Sequence, residues 1–457
     1  MDWNRWYSLK SYLRSSLWTV PLIAVAIYAV VKPLTEMTGR WMISQGIPDP
    51  KTGFLGLTMT GARSLVGDIV SADLAFLVFT FGSLLVAIQV AGGQYTPRII
   101  ATTLLRDNII RGISGLFVFA LLFANRTLGW MGENEVHQLQ VFIAALFGFA
   151  SVVAFLFLID YAAKSLRPVS LVARVGQHGI AVIEGVYRDS ATSATALREC
   201  DNRRGVPEKI IRHRGKSGIV LAVNLKTLVA KARRADVVIE FVPQVGDFVA
   251  VDEPLFHVYG NADAIDERGL RTLVAFGTER TMEQDPMFAF RILVDIALKA
   301  LSAAINDPTT AVLAIDQLHR LLRVVGKRSL HLEEIEDRSG RVRVIFRTPN
   351  WEDFVHISFR EIRQCGAGSI QIARRLRAAI DNLIQSLPEH RHDALRVELT
   401  LLDLAIASKH PFPEDLALAR IPDVQGLGGS AVSTASIDVK QVALSEANHA
   451  QAHNGHR

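Results

Sequence analysis

The stretch from Ala72 to Arg111 sets the terms for this chain, because an apolar run long enough to cross a bilayer ends in Gln89, Gly92, Gly93 and Gln94 and then breaks at Tyr95-Thr96-Pro97-Arg98. Amides in hydrocarbon need a hydrogen-bonding partner, so Gln89 and Gln94 are expected to face a neighbouring helix or water rather than lipid. Thr80, Ser83, Ala87, Ala91 and Gln94 recur at helical spacing along the same segment. Such a stripe suits close helix packing, since small residues let backbones approach, and it also suits the lining of a pore. Thr80, Ser83, Gln89 and Gln94 are therefore the candidate pore or packing residues.

Four segments reach spanning length, Tyr12 to Val31, Ala72 to Val90, Gly112 to Trp130 and Val141 to Ile159, against a requirement of about 20 residues. Arg5, Lys10 and Arg14 precede the first, Arg98, Arg106 and Arg111 fill the short second connection, and Lys164, Arg167 and Arg174 follow the fourth. Positive charge collects on the cytoplasmic side, so both termini are expected there. The apolar run from Leu17 lacks a small-residue cleavage site and reads as a retained helix, not a signal peptide. No Asp, Glu, Lys, Arg or His falls near the middle of any span, with Asp73, Arg111 and Asp160 at ends, which argues for passive passage over proton-coupled pumping.

A mean hydropathy of +0.24 combined with 21% charged residues requires a second part in water. The net charge of +5 follows from membrane orientation and gives no reason to invoke nucleic acid. The two cysteines, Cys200 and Cys365, have no paired spacing, so neither a disulfide framework nor a thiolate metal site is expected. The expected fold class is thus a membrane α-helical bundle of four transmembrane helices (1–168), followed by a cytoplasmic α+β region (169–423) and a disordered tail (424–457). Within the cytoplasmic region a small β-barrel-like unit is expected at about 215–277 and a helical unit at about 278–423.

Strands are expected at Ser217 to Val223, Val237 to Val242, Phe248 to Val251 and Pro254 to Tyr259, with a basic helix over Leu225 to Arg234. The Gly246-Asp247-Phe248-Val249 turn with Pro254-Leu255 resembles the hairpin of biotinyl and lipoyl carrier domains, but the lysine that a carrier role demands is not in a matching turn. Arg341 to Arg347 alternates as an edge strand would. Two helices each open on Asp-Pro, at Asp285-Pro286 and Asp307-Pro308, where Asp caps free N–H groups and Pro suits the first turn. Asp285, Asn306, Asp307, Thr309 and Thr310 are the candidate ligand or structural-cap residues, since the same oxygens could hold a cation. Gly366-Ala367-Gly368-Ser369 with Arg374, Arg375 and Arg377 is a weak phosphate pattern, and a capping turn beside a solvated face explains it better.

Taken together, Gln89-x4-Gln94-Tyr95-Thr96-Pro97-Arg98, Asp107, Ser217-Gly218, Gly246-Asp247-Phe248-Val249, Glu279-Arg280-Thr281, Gln284-Asp285-Pro286 and Asn306-Asp307-Pro308 resemble a bacterial family of predicted membrane proteins, domain of unknown function 2254. The resemblance runs from about Leu13 to Gly428. It implies an inner-membrane location, an N-terminal helical bundle and a cytoplasmic domain, and it carries no activity with it. No nucleophile elbow, P-loop, metalloprotease helix or dinucleotide fingerprint occurs, so no enzyme and no cofactor are expected. The leading expectation is a homo-oligomeric channel or passive transport protein in the lipid bilayer, gated by its cytoplasmic domain and passing an ion or small ligand. A membrane-anchored sensor or assembly scaffold is the alternative.

Overall fold

The computed structural model describes residues 3–4, 6–7, 19–44, 57–94, 107–131, 138–165, 167–187, 205–330 and 334–429. The chain divides into two compact units, Trp6–Leu171 and Val172–Arg457 with Met1–Arg5.

The first unit is helical: α1 (Thr19–Ser44), α2 (Met59–Gln94), α3 (Asn108–Trp130) and α4 (Gln138–Ser165). Helix α3 packs against α1, α2 and α4, and α2 also packs against α4. Three of these, α2, α3 and α4, are long and apolar enough to cross a membrane, whereas the apolar part of α1 is the shorter Thr19–Val31. Glycines give the closest approaches: a Cβ on Gly115 would come within 2.9 Å of Val20, and one on Gly148 within 2.8 Å of Ile69.

Helix α2 departs from the sequence expectation. It begins at Met59, not near Ala72, and at 36 residues it measures about 54 Å, well beyond the roughly 30 Å hydrocarbon core. Hydropathy points to its later half because Arg63 and Asp68 lie in the earlier one, yet both face outward while Ala62, Val66 and Ile69 enter a core with Phe123 and Ala144. Leu84 closes a second core with Ile110, Phe117 and Leu158. The bundle is thus registered on residues 62–84 of α2, and Gln89 extends about 7 Å past the level of Leu84.

Helix α5 (Pro168–Val186) leads into the second unit. Gln177-His178-Gly179 does not interrupt it. A Cβ on Gly176 would strike the Gln317 side chain and one on Gly179 would lie 2.9 Å from Ala289, so these glycines let the helix press onto its neighbours. Strands β1 (Lys209–Arg212), β2 (Gly218–Val223), β3 (Val238–Phe241), β4 (Phe248–Val249), β5 (Pro254–Tyr259) and β6 (Val274–Gly277) follow, with α6 (Leu225–Ala235) and the short α7 (Glu267–Arg271) between them. Two capped helices come next, α8 (Pro286–Ala300) and α9 (Pro308–Val325). The chain then runs through β7 (Glu334–Glu336), β8 (Val342–Phe346), α10 (Trp351–Gly366), α11 (Ile370–Ser386), α12 (His392–Lys409) and α13 (Pro413–Ala419).

The strands form two open sheets, ordered β1-β5-β3-β8-β7 and β4-β2-β6, and no closed barrel occurs among the described residues. Both sheets and α6 share one core that includes Val220, Val274, Ile239, Phe256 and Leu228. Strand β8 is not an edge. It lies parallel to β3 and antiparallel to β7, so the sheet recruits a partner from beyond α9, a pairing that local alternation cannot reveal.

The helical part is tied by ion pairs. Arg291 on α8 grips Glu361 on α10 through both guanidinium nitrogens, at 2.5 and 3.1 Å, and also takes Asp295. The C-terminal turns are held just as firmly. Arg374, fully buried, donates to the carbonyls of Ile421, Gly428 and Gly429, and Arg375 takes Asp316 and the Val424 carbonyl. Asp423 accepts from the backbone of Gln425, Gly426 and Gly428. The expected disordered tail is therefore anchored through Gly429, and 430–457 lie outside the described residues. Arg374 and Arg375 are clamps and not a solvated face.

Arg374→Met removes the three hydrogen bonds that hold the Ile421, Gly428 and Gly429 carbonyls, a loss of about 3 kcal/mol. Limited proteolysis should then cut within 421–429 at a protease level that leaves the wild type whole. Arg291 holds the Glu361 carboxyl below its ordinary value of 4.5, so the stabilisation is present above that pH and is lost as pH falls through the lowered value. Glu361→Gln should flatten the stability curve on the acid side of pH 4.5, by about 1 kcal/mol or less for this half-exposed pair, as followed by chemical denaturation.

Candidate functional site

Along α2 the polar residues part company. Thr80 is buried and donates 2.7 Å to the Phe76 carbonyl of its own helix. Ser83 donates back to the Thr80 carbonyl and is exposed, as is Gln89. Gln94 is the last residue of α2 and its side chain, like Tyr95 to Arg98, lies outside the described residues.

The group that hydropathy passed over is Asp73. It is 1% exposed, between the two apolar cores, with Ile69 on one side and Phe76 on the other. Its polar neighbour is Ser151, itself fully buried at the middle of the 28-residue α4. Neither carboxylate oxygen nor the Ser151 hydroxyl completes a hydrogen bond among the described residues. Phe76 stacks on Phe155 at 4.2 Å between centroids, which fixes α2 against α4 one turn from the carboxylate. Asp73 therefore sits at depth in the bundle, against the expectation that no titratable group does so. An uncompensated charge there costs several kcal/mol, so Asp73 needs a proton or a cation for company.

A second polar group closes one end of the bundle. Asp107 caps α3 by accepting 2.9 Å from the Ile109 amide and takes the Tyr161 hydroxyl of α4 on its other oxygen. One turn on, Arg111 donates to the Thr19 hydroxyl of α1. Three helix ends are thereby stitched together by polar side chains that are buried or half-buried.

In the second unit, Asp285 caps α8 by accepting 3.2 Å from the Phe288 amide and holds Arg280. Burial is the largest influence on Asp285 and raises its carboxyl above the ordinary range, with Arg280 opposing. Arg280 lies beside Gly246, whose φ of +96° needs glycine and where any Cβ would strike the guanidinium. Gln284 accepts 3.1 Å from the Val223 amide. The Gly246-Asp247 turn and the Arg280 to Asp285 segment are thus two sides of one joint between sheet and helices. Asp307 caps α9 by accepting from the Thr310 amide at 3.0 Å and from its hydroxyl. Asn306 precedes it in the left-handed region at φ +48°, and Asn306 and Thr309 are exposed. The oxygens of Asp285 are engaged by α8 and Arg280 and those of Asp307 by α9, and no cluster of three or more His, Cys, Asp or Glu able to hold a metal occurs among the described residues.

Residues 14–382 match the model of a family described as "Predicted membrane protein (DUF2254)". Uncharacterised proteins of Mycobacterium bovis and Mycobacterium tuberculosis are 23% identical over 439 residues, covering 91% of this chain and 81% of theirs. No solved structure matches the chain.

Asp73→Asn replaces a buried, unpartnered carboxylate by a neutral group of the same shape, and should leave the detergent-purified protein as stable as the wild type or more so. Asp73→Arg should destabilise it by about 3 kcal/mol or more. Thermal midpoints from fluorescence-detected size exclusion read both, and a large loss in the Asn variant would mean that the carboxylate has a structural partner.

Proposed function

The chain belongs to the DUF2254 family of predicted membrane proteins, and on that footing we propose that it passes a small ion or solute across a bacterial inner membrane as a homo-oligomer. In this reading α1 is a fourth crossing, so that both termini are cytoplasmic, and the second unit regulates passage without catalysis of its own. The observation that carries it is Asp73. A packing role at that position would be served by any apolar residue, whereas a carboxylate buried beside Ser151 with no completed hydrogen bond among the described residues is suited to taking up and releasing a proton or monovalent cation. Passive passage is the expectation for a bundle with no titratable group at depth. Asp73 removes that premise and makes passage that depends on the occupancy of the carboxylate the better reading.

The exposed face of α2 supports the oligomer. Ser83 and Gln89 lie outward among Leu85, Val86 and Val90, and an amide facing lipid is costly enough to favour a neighbouring copy or an aqueous path. Purified protein in liposomes should pass monovalent cations or protons, with Asp73→Asn reducing the flux at least tenfold and Gln94→Leu altering it. A bilayer that stays silent across ions, voltages and pH would sink the transport reading and leave a membrane-anchored sensor or scaffold in its place.

A further inference from the structure

A cavity of about 670 Å³ lies between the C-terminal part of α5 and the second half of α9, within the range of small-molecule sites. Its walls carry Arg320, Arg323, Lys327 and Arg328 against two carboxylates, Glu184 and Asp316. Both carboxylates are already engaged, Glu184 with Arg328 at 3.3 Å and Asp316 with Arg375 at 2.6 Å. Arg320, Arg323 and Lys327 have no ion-pair or hydrogen-bond partner among the described residues. Arg320 and Arg323 lie three residues apart on one side of α9 and Lys327 follows just past its C-cap, and all three are exposed at the cavity wall.

Three like charges gathered on one helix face repel one another, and a helix C-terminus explains only part of the arrangement. The terminal dipole favours Arg323 and Lys327, which stand in or just after the last turn, but its influence fades before Arg320 and it has no bearing on the opposing wall of α5. The remaining lining adds contacts that a bound molecule could use. Val324 offers an apolar contact, and His319, held by Asn382 at 2.9 Å, is kept neutral by burial, which lowers its affinity for a proton. The positive charge of the cavity is therefore concentrated in the three groups that lack partners.

We infer that this cavity binds a small molecule carrying two or more phosphate charges, with Arg320 and Arg323 gripping phosphate oxygens and Lys327 adding a point charge. Arginine forks match phosphate geometry in pairs, and the cavity is larger than a lone phosphate needs, leaving room for an organic body against Val324 and the arginine stems. The same chemistry is offered by a soluble polyphosphate and by a phosphorylated lipid headgroup. The site goes beyond the transport reading and does not depend on it.

Full-length protein in neutral detergent, titrated calorimetrically with pyrophosphate, with ADP and with short-chain phosphatidic acid, tests the inference. Saturable binding of at least one probe is expected, weakening as salt rises, and it should fall tenfold or more in Arg320→Ala/Arg323→Ala. Arg320→Lys/Arg323→Lys should retain part of it. Arg233→Ala/Arg234→Ala, on the exposed face of α6 away from the cavity, should bind as the wild type does. Preference for pyrophosphate or ADP assigns a soluble ligand, and preference for phosphatidic acid assigns a headgroup. If none of the probes binds, or if the alanine pair in α9 binds as tightly as the wild type, the inference is wrong. Equal losses in the α6 and α9 pairs would also overturn it, because binding would then follow net charge and not the cavity.

Discussion

A charge taken out of water must be answered by another charge, by hydrogen bonds or by a bound ion, and that requirement accounts for most of the specific contacts in this protein. In the second unit the answers are built in. Arg374 has three carbonyls, Arg343 is held between Asp236 at 2.8 Å and Asp337 at 2.7 Å, and Asp285 has Arg280 together with the first turn of α8. These groups rigidify a fold whose elements come from distant parts of the chain: Arg343 anchors β8 beside α6, and Arg374 draws residues 421–429 onto α11. In the bundle, Asp73 is buried as deeply and, among the described residues, is left beside Ser151 with two unfilled oxygens.

Much of this architecture is written locally. The Asp-Pro pairs at 285–286 and 307–308 announce α8 and α9 because a cap acts within three residues of itself. The strands from Gly218 to Tyr259 read as short apolar runs between turns, and the glycine of the Gly246-Asp247 turn is demanded by a positive φ. Other features are decided by contacts far apart in sequence. Nothing in residues 342–346 states that they lie beside β3, and nothing local to Gly176 and Gly179 states that Gln317 and Ala289 press against them. The same holds for Arg374 and Arg375, which look like a solvated basic face because the carbonyls they hold are some fifty residues on.

The depth of Asp73 is hidden from hydropathy for a different reason. A hydropathy window weighs every residue equally, so Arg63 and Asp68 displaced the apparent span toward Val90 and left Asp73 at its margin. A helix is judged by faces, however. Ala62, Val66 and Ile69 keep the inner face of α2 apolar through that region while the charges stand outside, and the bundle takes its register from the inner face. The outer face of α2 raises the complementary question, since Ser83 and Gln89 are exposed where the neighbouring positions are Leu85, Val86 and Val90.

Apart from Gln89 and Gln94, the motifs that identify the family and the residues suited to function fall in different places. Gly246, Arg280, Gln284, Asp285 and Asp307 all serve the joint between sheet and helices or the caps of α8 and α9, so their presence secures a shape. Asp73, Arg320, Arg323 and Lys327 belong to none of those motifs. Each is distinguished by its surroundings alone: a carboxylate between apolar cores, and three cations facing a cavity whose carboxylates are already taken. A motif is recognisable when its backbone demands particular residues, as a positive φ demands glycine. A binding group carries no such local mark, because what makes it a binding group is the absence of the partner that a structural residue would have.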